Sequence, residues 1–213
     1  MTEATSPGRI MIDLFTTLDG VGQAPGAPDE DTSGGFRFGG WQAPFPDPAV
    51  GESVMAGIRS MDALMLGRRT YEIFARYWPH RLESEIGAIF DRVPRYVATR
   101  NPGTELAWRG STRIGASLTD DMHALRERHQ EIRVIGSIGL VQTLLAERLF
   151  DELRLWVYPV VLGEGRKVFP DGAAPANLRL LEAPTTADCG AVLLRYAPKR
   201  GLPATGDMSE TVR

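Results

Sequence analysis

The chain has 213 residues, of which 43% are hydrophobic and 24% charged, and its formal net charge is −3. This length and composition are typical of one globular domain that buries a core without covalent cross-links. The small negative charge provides no basic surface, so we expect neither nucleic acid nor a membrane as a partner. A single cysteine, Cys189, and an apolar start too short for a signal peptide favour a cytoplasmic protein.

The first half of the chain alternates between strand and helix patterns. A buried strand over 10–16 ends at the turn Asp19-Gly20, and apolar spacing predicts a helix over 48–60. A strand over 63–66 then runs directly into a helix that ends near Trp78. The elements expected after it are a helix over 82–91 and strands over 96–99 and 112–114.

Residues 20–47 form a long loop rich in glycine, proline and acidic residues. A loop of this length inside a compact domain is usually functional, often as a lid over an active site. Its aromatic side chains need apolar surface to cover, which argues against disorder. They are Phe36, Phe38, Trp41 and Phe45. We therefore expect a lid.

The second half changes from helix-separated strands to strands without helices. A capping box at 117–120 opens a helix, and the strand over 133–135 is followed at once by another helix. The strands expected after these are 153–161, 178–181 and 192–196. Helix-separated strands pair in parallel, whereas the late strands are expected to be antiparallel. The pattern predicts an α/β fold with a mixed, mostly parallel central sheet, helices on both faces and antiparallel C-terminal strands. The domain is expected over 9–197, between flexible ends at 1–8 and 198–213.

Three strand ends place glycine, hydroxyl or arginine side chains where a ligand would bind. In open α/β sheets, ligands lie beyond the carboxyl ends of the strands, where helix N-termini offer free N–H groups to phosphates. Arginine adds a planar fork of donors for the same group. The candidate residues are Gly67, Arg68 and Thr70 at one tip, Thr99 and Arg100 at the next, and Gly136, Ser137, Ile138, Gly139 and Leu140 at the third.

Other ligand motifs find no support in the sequence. No Gly-x-Gly-x-x-Gly follows the first strand, and the 163–167 segment, GEGRK, lacks the spacing of a phosphate-binding P-loop. We interpret that segment as a turn between strands. The three histidines and Cys189 do not have the spacing of zinc ligands, so no metal is expected.

With these motifs placed, the chain resembles the dihydrofolate-reductase-like superfamily. It is most similar to stand-alone relatives of the C-terminal reductase domain of the bacterial bifunctional deaminase-reductase of riboflavin synthesis. The resemblance covers about residues 9–197. It is carried by the segments Thr17-Leu18-Asp19-Gly20, Leu66-Gly67-Arg68-Arg69-Thr70-Tyr71, Ile135-Gly136-Ser137-Ile138-Gly139, Asp151-Glu152-Leu153 and Tyr158-Pro159-Val160-Val161-Leu162-Gly163.

The resemblance implies NADPH as hydride donor and assigns roles to the strand-tip residues. Arg68 would approach the 2′-phosphate and Thr70 the other phosphates. Thr99 and Arg100 would lie on the adenosine side, and the 136–140 turn would hold the pyrophosphate. Candidate proton donors are Asp19, which equally well caps its turn, and Glu52, on the helix where folate reductases carry a carboxylate. Relatives also often pair through late strands, which implies a homodimer.

Two positions depart from the family pattern. Relatives that reduce the ribosylaminopyrimidine carry lysine where this chain has Asp13, and glutamate where it has Ile135. The first hypothesis is therefore NADPH-dependent reduction of a small heterocyclic or carbonyl substrate. Reduction of a pterin is the second. The third is a nucleotide- or flavin-binding module without turnover.

Overall fold

The computed structural model describes residues 6–208 and confirms the predicted fold class. Within this range nine strands form one sheet in the order β4-β3-β2-β5-β1-β6-β9-β7, with β8 paired to β9. The strands are β1 Arg9–Thr17, β2 Ala63–Gly67, β3 Arg95–Ala98, β4 Ser111–Ile114, β5 Glu131–Ile135, β6 Glu152–Tyr158, β7 Asn177–Leu180, β8 Thr185–Thr186 and β9 Val192–Lys199. Strands β1 to β6 pair in parallel, whereas β9 is antiparallel to β6, β7 and β8.

Five α-helices connect the parallel strands in the described residues, and side-chain caps fix where three of them begin. They are α1 Pro48–Ser60, α2 Arg68–Tyr77, α3 Glu85–Arg92, α4 Leu118–Arg128 and α5 Ile138–Glu147. The carboxylate of Asp47 accepts from the amides of Ala49 and Val50, and Ser84 and Ser117 cap α3 and α4 in the same way. Each cap satisfies amides that have no partner within the helix.

Alternation along the strands divides the core between the two faces of the sheet. In β1, Ile10, Ile12 and Leu14 pack with residues of α4 and α5 on one face. On the other face, α1, α2 and α3 pack over β2 and β3 through residues such as Ile58 and Phe90. Helices therefore cover both faces, as the period of two along the strands requires.

The long loop between β1 and α1 packs over β6 and β9 rather than extending into solvent. Phe36 and Trp41 are buried in a cluster with Trp156 and Tyr158, and the Trp41 ring lies edge-on to Tyr158 at 5.6 Å. The Trp41 indole N–H also donates to the Gln23 carbonyl at 2.8 Å. The aromatic residues thus cover apolar surface, as expected. Motion of this loop as a lid stays a prediction.

The first and last described strands lie near the expected ends of the domain, whose boundaries stay a prediction. The Gly8 amide donates to the Arg126 carbonyl just before β1, and β9 continues to Lys199, two residues past the expected boundary. Residues 1–5 and 209–213, which include parts of both predicted flexible ends, lie outside the described residues. No helix between residues 6 and 208 is long and apolar enough to cross a membrane.

Candidate functional site

Hydroxyl groups join the carboxyl ends of β2 and β5. The Ser137 hydroxyl accepts from the Gly67 amide at 2.9 Å, and the Ser137 amide donates to the Thr70 hydroxyl at 3.1 Å. Because β2 and β5 are parallel neighbours, the helices that follow them, α2 and α5, begin side by side. The structure thus brings together two of the three predicted strand tips.

Both helices begin without a side-chain cap. Gly67 and Ser137 occupy the N-cap positions. Gly67 has no side chain, and the Ser137 side chain makes no cap hydrogen bond to its helix. The first-turn amides, such as those of Ile138 and Gly139, therefore have no partner within their helix and carry the positive end of its dipole. The junction bends sharply, because Gly136 and Ser137 both have left-handed backbone, with φ of 59° and 60°.

Access to the α5 N-terminus differs along its first turn. Gly139 is exposed, and a side chain there would meet nothing within 4 Å, so a ligand can approach the backbone. The Leu140 side chain is buried in the core against β2. Leu140 can therefore contribute to a binding site only through its backbone amide.

The third tip lies at the end of β3, next to β2. Ala98 and Gly67 are register partners, so Thr99 follows directly beside the start of α2. The Thr99 hydroxyl lies 3.1 Å from that of Thr104, and the Arg100 side chain is exposed. The three tips of β3, β2 and β5 are therefore consecutive along one edge of the sheet.

Arg68 is the arginine that the sequence assigns to a phosphate. Its guanidinium is half-exposed and pairs with Glu72 one turn further along α2, at 2.6 Å. Exposed pairs of this kind contribute little to stability, so a dianionic ligand can compete for the guanidinium at small cost.

Asp19 holds a turn together. Its carboxylate accepts from the Thr17 hydroxyl at 2.5 Å and from the amides of Leu162 and Gly163 at 3.2 and 2.8 Å. Burial would raise the pKa of Asp19, but these hydrogen bonds outweigh it and lower the pKa below its ordinary value. The carboxylate is therefore charged at neutral pH. This geometry favours the capping alternative, and a catalytic role stays a prediction.

Glu52 lies on the exposed side of α1. Its side chain is 69% exposed and pairs with Arg59 at 3.0 Å, and Arg59 also binds Glu85 of α3. The structure gives Glu52 no contact with the strand-tip residues. Its suggested role as a proton donor has no support from this geometry.

A buried charge network beneath α1 was not found by sequence reasoning. Arg133, only 5% exposed, pairs with Asp13 at 2.6 Å and with Glu131 at 2.7 Å, while Arg154 lies 3.6 Å from the other Asp13 oxygen. Burial would lower the pKa of Arg133, but the two carboxylates raise it above its ordinary value. Asp13 and Ile135 are register partners, so the two positions that depart from the family pattern are adjacent.

The described residues contain no group of three or more histidine, cysteine, aspartate or glutamate side chains that could hold a metal ion.

Comparison with known proteins decides the family. Residues 9–193 match the family model described as RibD C-terminal domain. The chain belongs to the RibD C-terminal domain family. This confirms the resemblance to stand-alone relatives of that reductase domain.

Other similar proteins include one sequence relative and two solved structures. The uncharacterized protein YyaP of Bacillus subtilis (strain 168) is 25% identical over 201 residues, covering 92% of this chain and 98% of its own. A putative riboflavin biosynthesis protein from Shewanella sp. PV-4 superposes with a TM-score of 0.68 at 20% identity, covering 90% of this chain and 99% of its own. Dihydrofolate reductase from Enterococcus faecalis, complexed with NADP(H), superposes with a TM-score of 0.57 at 15% identity, covering 91% and 98%. The two structures share the fold of this chain.

Proposed function

We propose that this protein is an NADPH-dependent reductase of a small heterocyclic or carbonyl substrate. The observation that carries the proposal is the pair of uncapped helix N-termini, α2 and α5, held side by side by Ser137 and Thr70. Two such termini next to each other suit the adjacent phosphates of a dinucleotide. Membership of a reductase domain family supports the same activity.

The residues present fit NADPH in both charge and shape. The amides of Ile138, Gly139 and Leu140 would hold the pyrophosphate, where the exposed Gly139 leaves room for close approach. Arg68 would bind the 2′-phosphate through its planar fork, in exchange for its surface pair with Glu72. Thr99 and Arg100, at the neighbouring tip, would line the adenosine side.

When bound, NADPH supplies the hydride, and the protein orients the reacting atoms and excludes water. The 21–47 loop, packed beside the tip of β1 through its aromatic residues, is suited to excluding water. Because Asp19 is held in its turn by amides of Leu162 and Gly163 and Glu52 is exposed, we propose water as the proton source.

The charge network beneath α1 supports a substrate other than the ribosylaminopyrimidine. Asp13 places a carboxylate where the resemblance leads one to expect lysine, and Arg133 and Arg154 compensate it. Ile135 beside it removes a second expected charge. We therefore propose reduction of a different C=N or C=O bond, with a pterin as the first alternative to test.

Cofactor titration tests this proposal directly. NADPH and NADH are titrated against tryptophan fluorescence of the wild type and of Arg68→Ala. Loss of charged hydrogen bonds to a phosphate should weaken NADPH by about 1.5–3 kcal/mol and leave NADH unchanged. Arg76→Ala, an exposed arginine at the other end of α2, is the control and should change neither affinity.

Turnover separates a reductase from a binding module. NADPH oxidation is followed with a panel of pterins, ribosylaminopyrimidines and simple carbonyl compounds. Equal affinity for NADPH and NADH in the wild type would contradict the role of Arg68. Tight binding of NADPH without oxidation across the whole panel would favour a non-catalytic nucleotide-binding module.

A further inference from the structure

Tyr71 is a buried residue in the first turn of α2, and its hydroxyl contacts the loop that follows β3. It comes directly after Thr70 in the chain and is only 1% exposed. Its hydroxyl accepts from the backbone amide of Trp108 at 2.9 Å. Trp108 belongs to the 99–110 loop, which connects β3 to β4. The hydrogen bond therefore joins the first turn of α2 to the loop that begins at the neighbouring strand tip.

Trp108 is held from three directions. Its amide donates to Tyr71, and its indole N–H donates to the Asp91 carboxylate at 3.1 Å. The guanidinium carbon of Arg95 lies 4.4 Å from the centre of the indole ring, and a guanidinium packs favourably on the face of such a ring. Trp108 is buried as well, so it is a fixed point within the 99–110 loop.

Arg95 fastens the same loop to the end of α3. This arginine is buried, and its guanidinium donates to the carbonyls of Phe90, Asp91 and Val93. Carbonyls at the C-terminal end of a helix have no partner within the helix and carry the negative end of its dipole, so they suit a cation. The guanidinium also donates to the Arg109 carbonyl. The second half of the loop is thus attached to α3.

The first half of the 99–110 loop is a closed turn at the tip of β3. The Thr104 hydroxyl lies 3.1 Å from that of Thr99 and donates to the Asn101 carbonyl at 2.9 Å. The Arg113 side chain of β4 donates to the Thr104 carbonyl at 3.0 Å. Thr104 is buried, whereas Arg100 is exposed. One side of the turn is therefore fixed to the protein, and the other side faces solvent.

Core packing alone does not require the hydroxyl of Tyr71. Its ring lies in an apolar cluster with residues such as Leu66 and Phe90, where a phenylalanine would pack equally well. A buried hydroxyl needs a hydrogen-bond partner, because leaving it unpaired is costly. The partner here is the Trp108 amide, so the hydroxyl determines where the 99–110 loop lies relative to α2.

We propose that Tyr71 is a positioning residue for the adenosine half of NADPH and acts through Trp108. This inference rests on the proposed reductase function, which assigns the cofactor to these strand tips. The Tyr71 hydroxyl sets the spacing between the first turn of α2, which would bind phosphates, and the 99–104 turn, which would line the adenosine side. Tyr71 itself touches no ligand, so its loss should affect every ligand that contains the adenosine.

Titration calorimetry of the wild type and of Tyr71→Phe tests this role. The ligands are NADPH, NADH and 2′,5′-ADP, all of which contain the adenosine. Tyr71→Phe removes only the hydroxyl, and each ligand should bind about threefold to tenfold more weakly, which corresponds to the loss of one hydrogen bond. Arg68→Ala should instead weaken only the two ligands that carry the 2′-phosphate.

Tyr96→Phe is the matched control. The Tyr96 hydroxyl is also hydrogen-bonded, to His129 at 2.8 Å, but His129 lies before the start of β5 and so at the opposite edge of the sheet from the strand tips. Tyr96→Phe should lower the melting temperature and leave all three affinities unchanged. If it weakens the ligands as much as Tyr71→Phe does, a general loss of stability explains the effect and the proposal is wrong.

Hydrogen exchange reports on the turn itself. The Asn101 amide donates to the Thr99 hydroxyl and the Gly103 amide to the Asn101 side chain, so both amides are bonded within the turn. Their exchange should become faster in Tyr71→Phe and stay unchanged in Tyr96→Phe. Weaker ligand binding with unchanged exchange at both amides would mean that Tyr71 does not act through this loop.

The pattern of affinities separates the remaining outcomes. If Tyr71→Phe binds all three ligands as the wild type does, its contact with Trp108 is purely structural, and the inference is wrong while the reductase function stands. If Tyr71→Phe weakens NADPH and 2′,5′-ADP but not NADH, the hydroxyl acts on Arg68, and a role toward the adenosine is refuted. If none of the ligands binds the wild type, the reductase function is refuted together with this role.

Discussion

The two faces of the central sheet differ sharply, although alternate residues of the same strands build them. Towards α4 and α5, strands β1, β5 and β6 present apolar side chains that are almost fully buried. They are Ile10, Ile12, Leu14, Ile132, Val134, Leu153 and Leu155. Towards α1, the same strands present Asp13, Glu131, Arg133, Glu152 and Arg154. In β1, β5 and β6 one face is thus almost entirely apolar, whereas the other combines a network of ion pairs with buried apolar residues such as Met11 and Trp156.

The two faces therefore contribute differently to the free energy of folding. Buried ion pairs are weak evidence for stability, because desolvation offsets most of their attraction. An apolar layer of the same volume would serve folding at least as well. The polar face lies on the side of β1 where Asp13 and Ile135 sit next to the strand tips. We infer that the apolar face contributes more to the stability of the domain than the ion-pair network does.

Removal of Arg133 should have the largest effect on stability. Arg133→Met leaves Asp13 and Glu131 without their shared guanidinium, and loss of one partner from a buried network costs about 3–5 kcal/mol. Urea unfolding followed by tryptophan fluorescence measures this. The double variant Asp13→Asn/Arg133→Met should be more stable than Arg133→Met alone, because it removes one unpaired charge. Simple additivity of the two changes would show that the charges are not coupled.

The second largest effect on stability should come from shortening a side chain on the apolar face. Ile12 is fully buried at the centre of β1, so Ile12→Ala should cost about 3 kcal/mol through lost burial and a cavity. The same urea unfolding experiment measures the loss. This change should leave the NADPH affinity of the folded protein unchanged, because Ile12 lies in the core and not at a strand tip. A clear fall in that affinity would contradict a purely structural role for Ile12.

Most of the fold was predictable because it depends on local patterns. The helix over 48–60 was predicted from apolar spacing at the bounds that the structure gives it, and Pro48 with the Asp47 cap explains where it begins. Parallel pairing places the 67–70 and 136–140 tips at the same edge of the sheet, whereas the adjacency of β2 and β5 comes only from the structure. The two-residue strand β8 was missed, because Thr185–Thr186 is too short to show any period.

The candidate site was less predictable than the fold, because its contacts depend on the register between strands and on the path of the 20–47 loop. The pairing of Asp13 with Arg133 requires knowing that β1 lies beside β5 and which residues are opposite. The contact of Ser33 with Arg69 depends on how the loop folds back, and no periodicity encodes that. Alternation does place Asp13, Arg133 and Arg154 on one face, which is the signal that could have revealed the network.

A substitution at the junction between the tips of β2 and β5 should have a smaller, local effect on stability. Ser137→Ala removes the acceptor of the Gly67 amide, and an unsatisfied, half-buried amide costs about 1–2 kcal/mol. NADPH affinity should also fall, since one of the two hydrogen bonds that hold the starts of α2 and α5 together would be lost. Thr70→Ser, which keeps the hydroxyl, is the control and should preserve both quantities. Unchanged NADPH affinity in Ser137→Ala would mean that the junction is purely structural.

The smallest effect at neutral pH is expected at Glu152, a buried carboxylate whose arginine partners reach solvent. Its partners Arg195 and Arg9 are 31% and 54% exposed, so Glu152→Gln leaves cations that water can solvate, and we expect a cost of about 1 kcal/mol. Burial would raise the pKa of Glu152, but Arg195, Arg154 and Arg9 lower it below its ordinary value of 4.5.

A lowered pKa in the folded state means that the ionised form of Glu152 stabilises the protein above pH 4.5, and that this contribution is lost as the pH falls through the folded pKa. Glu152→Gln should therefore flatten the acid side of the curve of unfolding free energy against pH. Urea unfolding at a series of acidic pH values measures that slope. If Glu152→Gln instead costs as much as Arg133→Met at pH 7, access to solvent does not decide the cost of an unpaired charge on this face.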